Sequence, residues 1–167
     1  MKWSFFPQNQ KITEDFLKIV SVFEENQSKI SSDTHKLPSN KVLSVISDDL
    51  KKIGYTVEKS KRHNDKIQMP VLYGECGVST LNFEVDAYNA DTKIVIEVEA
   101  GRAVTNYQFL KDFFEACCMA DAEYLCIAVR ILYANRYDYQ KVCDFFKAMY
   151  ASDRFTIPLK GILIIGY

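Results

Sequence analysis

The sequence predicts an α/β fold, a mixed β-sheet flanked by helices, and three observations predict it. Apolar residues recur at helical spacing in some segments and at strand spacing in others, giving helices, a meander of strands, then helix, strand, helix, strand. The early strand candidates are joined by links short enough for antiparallel pairing, whereas the later ones are separated by helices and enter the sheet through crossovers. The two last strand candidates are nearly continuous in apolar residues, as strands covered on both faces are.

Taken in order, Thr13–Ile30 reads as an amphipathic helix with Phe16, Val20 and Phe23 on one face. A polar connector, Ser31–Ser39, contains Pro38. Ser39 or Asn40 then caps a helix over Lys41–Ile53, stopped by Gly54, with Val42, Leu43, Ile46, Leu50 and Ile53 as its core stripe. A short strand, Tyr55–Lys59, and a charged loop, Ser60–Lys66, follow. Pro70–Gly74 is another short strand, and Gly74 and Gly77 bracket a turn. A hairpin comes next, Leu81–Tyr88 and Lys93–Glu99, turning near Ala90–Asp91. Gly101 precedes a helix over Val104–Ala120 with Phe109, Phe113, Cys117 and Ala120 on its core face. Glu123–Val129 is a buried strand, Tyr137–Ala151 a helix, and Gly161–Ile165 a closing strand.

Composition bounds the function. The 167 residues suit one domain, 48% apolar and 26% charged. No apolar run reaches membrane-span length and the first residues lack a signal-peptide core, so the expected compartment is the cytoplasm. The five cysteines form no Cys-x-x-Cys pair and are expected as buried, reduced thiols. Two distant histidines, His35 and His63, disfavour chemistry that needs a histidine pair. Net charge is −1, yet residues 29–66 carry nine Lys/Arg against five Asp/Glu, and residues 67–167 nine against thirteen. An acidic sheet beside a basic segment fits a phosphate backbone lying over a metal site, and equally a solvated charge imbalance.

The chemistry concentrates in Asp86, Glu97 and Glu99. Residues two apart on a strand share a face, so Val95, Glu97 and Glu99 point one way and Ile94, Ile96 and Val98 the other. A turn at Ala90–Asp91 sets Asp86 opposite Val95 and diagonal to Glu97, with neighbouring Cβ atoms about 7 Å apart. Three carboxylates so placed repel one another unless a cation sits between them, and Mg²⁺ or Mn²⁺ suits an all-oxygen set. Asp86, Glu97 and the Val98 carbonyl would share the ion, with Glu99 as proton acceptor or second-metal ligand.

The run FEVDAYNADTKIVIEVEAGRAVTNYQFLKDFF, with its Asp before the turn and Glu-x-Glu after it, resembles the core of the PD-(D/E)XK nuclease superfamily, the restriction-endonuclease-like fold. The usual third residue is lysine; Glu99 in its place is the BamHI-type variant. The resemblance spans about residues 40–130, which makes the helix at 13–30 and the helix and strand at 137–167 additions to a single nuclease-like domain over 1–167. It implies a metal-dependent endonuclease acting on DNA in restriction or repair, working with Mg²⁺ or Mn²⁺ and expected as a homodimer. It also implies an acidic helper from the preceding helix, Asp49 before Asp48, and phosphate ligands among Arg102, Gln108 and Lys111.

Plainer readings stand beside these. Glu84 is expected as a surface partner of Lys93 or Arg102 rather than a fourth ligand. The loop residues Lys59, Lys61, Arg62, His63 and Lys66 are either phosphate contacts or a solvated loop. The aromatic residues of the last two helices (Tyr107, Phe109, Phe113, Phe114, Phe145, Phe146, Tyr150) read as core, since no basic residues interleave them. The alternatives to an enzyme are an inactive module of this fold that binds nucleic acid or a protein, and a metal-binding regulatory domain.

Overall fold

In the computed structural model, which describes residues 1–59, 65–152 and 154–167, the apolar runs form the centre of a six-stranded sheet. Strands β6 (Ile94–Val98), β7 (Tyr124–Val129) and β8 (Gly161–Gly166) lie parallel side by side. Antiparallel strands complete the sheet, β1 (Lys2–Phe6) beside β8 and β5 (Ala87–Asn89) then β2 (Thr56–Val57) beyond β6, in the order β1-β8-β7-β6-β5-β2. The mixed sheet flanked by helices is the architecture the sequence predicts.

Helices cover both faces. On one face α1 (Glu14–Glu25) and α3 (Ser39–Lys52) pack Phe16, Phe23, Val42, Ile46 and Leu50 against Ile94, Ile96 and Val98. On the other, α4 (Gln108–Cys118) and α5 (Asp138–Ser152) pack Phe109, Phe113, Val142 and Phe146 against Val95, Leu125 and Ile127. The alternation within β6 follows from the period of two, and it turns Val95 and Glu97 toward α4. Among the described residues no helix is long and apolar enough to cross a membrane.

Several elements differ from their predicted form. The N-terminal strand β1 is unread in the sequence. The helix expected over Thr13–Ile30 breaks at buried Asn26 into α1 and the single turn α2 (Gln27–Ile30), because Asn26 Nδ2 donates to Val22 O (3.0 Å) and to Asp49 Oδ2 (2.9 Å). Helix α3 starts at Ser39, with Pro38 in the capping position and no side-chain cap. The strand expected over Tyr55–Lys59 contracts to β2. The helix expected from Val104 starts at Gln108, because Tyr107 takes a left-handed conformation (φ 51°). Cys126 and Cys143 are buried thiols, as expected, but Cys76 and Cys118 are exposed. Of the aromatic residues, Phe109, Phe113 and Phe146 are core, whereas Tyr107 and Phe114 are exposed.

The meander is where the departure matters most. Strands β3 (Ile67–Tyr73) and β4 (Ser79–Val85) form a separate two-stranded ribbon. The predicted strand Leu81–Tyr88 is therefore two strands, β4 and β5, in different sheets, and Asp86 is the joint between them. The turn also differs. Asn89 Oδ1 accepts from the N–H groups of Asp91 (2.9 Å) and Thr92 (3.1 Å), and Lys93 takes φ 56°, giving a four-residue loop over 90–93. Ala87 consequently pairs with Ile96, and the same register carries Asp86 to Glu97 rather than to Val95.

Candidate functional site

The site lies at the carboxyl ends of β6 and β7, where open α/β sheets place their ligands. Val98 N–H donates to Asp86 Oδ2 (2.8 Å), so the joint between β4 and β5 fixes one carboxylate beside the next strand. Glu97 is the penultimate residue of β6, and Glu99 follows its last, its N–H bonded to Ala128 O (2.7 Å). All three line one cavity of about 200 Å³, walled also by the start of α3 and by Gln108, Lys111, Asp112 and Glu115 of α4.

Asp112 is the residue the sequence analysis missed. It is 5% exposed, Gln108 Nε2 donates to its Oδ1 (3.1 Å), and its buried Oδ2 finds no partner among the described residues. A signal was present. Asp112 stands three residues after Phe109 and four before Ala116, on the apolar face of α4, where an unpaired charge is costly.

Electrostatics set this group apart. Burial, then the charges of Asp86, Asp112, Glu99 and Glu115, push the Glu97 carboxyl well above the usual range. Burial with Asp112 and Asp86 pushes Glu99 up to about 8, against the opposing pull of Arg102 and Lys111. Burial pushes Asp112 up to about 7 despite Gln108 and Lys111. Among the described residues no hydrogen bond or ion pair reaches the Glu97 or Glu99 side chain. The two lysines that line the cavity are engaged elsewhere: Lys66 with Glu58 (2.6 Å) and Glu84 (3.6 Å), Lys111 with Glu115 (2.9 Å). Glu84 is thus a partner of Lys66, not of Lys93 or Arg102.

The remaining sequence candidates divide. Gln108 and Lys111 border the cavity; Arg102 lies in an adjoining one that shares Glu99 and Gln108 as its wall. Asp49 is not brought to the site. It lies on the flank of α3 that meets α1, held by Lys52 (2.7 Å) and Asn26, and those partners lower its carboxyl below its ordinary value. The residues of α3 that reach the cavity are Ser39 and Asn40, nine to ten positions earlier and about 14 Å along a helix axis. Asp48 is exposed and paired with Lys51. Of the basic loop, Lys61, Arg62 and His63 lie outside the described residues; Lys59 borders a third cavity beside α3.

The donor set is all oxygen, with Glu97, Glu99 and Asp112 desolvated, which fits a hard divalent ion such as Mg²⁺ or Mn²⁺. Among the described residues, no three His, Cys, Asp or Glu side chains converge tightly enough to enclose an ion alone.

A family model described as "Putative halobacteria restriction endonuclease" matches residues 1–167, the whole chain. Comparison with curated proteins found no match. Among solved structures, the crystal structure of free BglII is similar at 10% identity and a TM-score of 0.46, covering all of this chain and 80% of that one.

Proposed function

The chain belongs to this halobacterial restriction-endonuclease family, and from that premise we propose that it is a metal-dependent endonuclease that hydrolyses phosphodiester bonds in DNA. One observation carries the reading: Asp86, Glu97, Glu99 and Asp112 line one concave site at the strand ends, where burial and mutual repulsion push the carboxyls of Glu97, Glu99 and Asp112 above their ordinary range. Asp86 and Glu97 would hold Mg²⁺ or Mn²⁺, with Asp112 taking the supporting place the sequence analysis gave to Asp49. Such an ion supplies positive charge against the phosphate and lowers the pKa of a bound water.

Glu99 replaces the usual lysine as the BamHI-type variant does, and its environment suits a proton acceptor. A carboxylate whose pKa is raised is a stronger base once ionised, and a cation bound beside Glu99 would favour the ionised form. Water attacks phosphorus, its proton passes to Glu99, and the leaving sugar oxygen takes a proton from solvent water as its bond to phosphorus breaks. Arg102, Gln108 and Lys111 would orient the phosphate oxygens. Target selection on so small a chain is consistent with a homodimer or a partner protein.

The test is incubation of supercoiled plasmid with Mn²⁺ and either the native chain or Glu97→Ala. Nicking or linearisation by the native chain, lost in the variant, is the expected result. Cleavage that survives the substitution would sink the site assignment. A native chain that binds DNA but never cuts it favours the second reading, an inactive module of this fold, for which Glu99 in the lysine position is the observation.

A further inference from the structure

Beside the carboxylates lies a larger cavity of about 720 Å³ with the opposite charge. Lys36, Arg102 and Arg130 line it against one carboxylate, Glu99, and Ser39, Asn40, Glu99 and Gln108 form the wall shared with the acidic site.

Arg130 is the informative residue. It follows β7 and is 7% exposed. Its Nη2 donates to Leu37 O (2.6 Å), its guanidinium lies 5.0 Å from the centre of the Tyr133 ring, and its buried Nε has no partner. No ion pair reaches it among the described residues. A buried guanidinium without a counter-charge is costly, and an anion from outside relieves that cost. The surroundings are built to hold it still. A Cβ on Gly101 would come within 2.3 Å of the Tyr133 ring, so glycine at 101 is what lets that ring seat beside Arg130. From the other side, α3 opens into the same cavity with no side-chain cap. The N–H groups of Ser39 and Asn40 have no acceptor among the described residues and lie at the positive end of the helix dipole, where the two cavities meet.

We propose that this cavity is a second phosphate subsite, in which Arg130, Lys36 and the first turn of α3 hold a non-scissile backbone phosphate of the same DNA strand whose neighbouring phosphate sits at the carboxylates. The inference rests on the nuclease reading. The shared wall of Ser39, Asn40, Glu99 and Gln108 sets the two cavities side by side, as neighbouring phosphates of one strand require.

The test measures binding of a fluorescent 20-base-pair duplex by anisotropy, with Ca²⁺ to hold back cleavage, across a range of salt. The native chain, Arg130→Gln, Arg130→Lys and Lys36→Glu are compared, each checked by melting temperature, and the native chain is also assayed on plasmid with Mn²⁺. Arg130→Gln should weaken binding about tenfold and lower the salt slope by about one phosphate, with Arg130→Lys restoring the slope. A merely structural guanidinium would lose its function in both variants and leave the slope unmoved. Lys36 is exposed, so Lys36→Glu reports on the cavity even if Arg130→Gln does not fold; it should also lower the slope. Native-like slopes in all folded variants, with the native chain cutting plasmid, would overturn the subsite alone. A native chain that neither binds the duplex nor cuts plasmid overturns the nuclease reading and the subsite with it.

Discussion

The parallel strands have acidic residues at both ends, and the two ends are built in opposite ways. At the start, the residues just before β6, β7 and β8 are Lys93, Glu123 and Lys160, and both lysines close on the one carboxylate, Lys93 at 2.8 Å. Lys160 and then Lys93 hold the Glu123 carboxyl below its usual value. At the finish, Glu97, Glu99 and Asp112 are pushed the other way by burial and by one another. The first end is a fastening, complete within the chain. The second is left incomplete by folding, and folding alone would not retain it, since desolvated like charges oppose the native state.

The sharpest way to break this contrast is at the finish. Asp86→Asn should lower DNA cleavage in Mg²⁺ on the order of 10³-fold while leaving the fold intact, because it removes a carboxylate of the proposed metal site and keeps the shape that accepts Val98 N–H. A cleavage rate within tenfold of the native one would end the distinction between the two ends.

Next in size is the response to pH without metal. Glu99 and Asp112 have folded-state pKa values of about 8 and about 7, above their ordinary 4.5 and 3.8, so the folded chain binds more protons than the unfolded one in between. Stability on this account is therefore greatest below about pH 4 and declines as pH rises toward 8, by roughly 2 kcal/mol or more. Melting temperatures in EDTA across that range should fall, and saturating Mg²⁺ should flatten the curve. A flat curve in EDTA would mean that the site is solvated and unstrained.

Smaller again, Asp112→Asn should raise the metal-free melting temperature at pH 8, since it removes one charge from the cluster; a gain on the order of 1 kcal/mol is expected. The least effect belongs to the start of the strands. Glu123→Gln should leave cleavage unchanged and lower the melting temperature slightly, a difference that high salt erases, as exposed ion pairs do.

What the sequence discloses about this molecule follows from which signals are local. Periodicity in α3, α4, α5, β7 and β8 reports burial directly, and those elements appear within a few residues of their predicted bounds. The carboxylate motif is legible because Glu97 and Glu99 share a strand face. Asp86 reaches them by a route that local pattern does not reveal: the Asn89 side chain enlarges the loop, and the register moves with it. The ribbon β3–β4 reads as part of a meander because strand propensity says nothing about which sheet a strand joins. Asp49 is indistinguishable from a site residue on a helical wheel, yet Asn26 of the neighbouring α1–α2 bend claims it. Arg130 gives no sequence signal, since its meaning comes from partners it lacks.

The joint at Asp86 has a mechanical consequence. The ribbon ahead of it has no lysine, arginine or histidine from residue 67 to 85 and exposes Leu72, Tyr73 and Val78 near its tip. Its root is anchored, with Met69 and Val85 buried in the core that α4 covers and Pro70 O accepting from Ala120 N–H (2.9 Å). The carboxylate that meets Val98 N–H therefore hangs from a fixed root, while the apolar tip stays exposed at the far end of the ribbon.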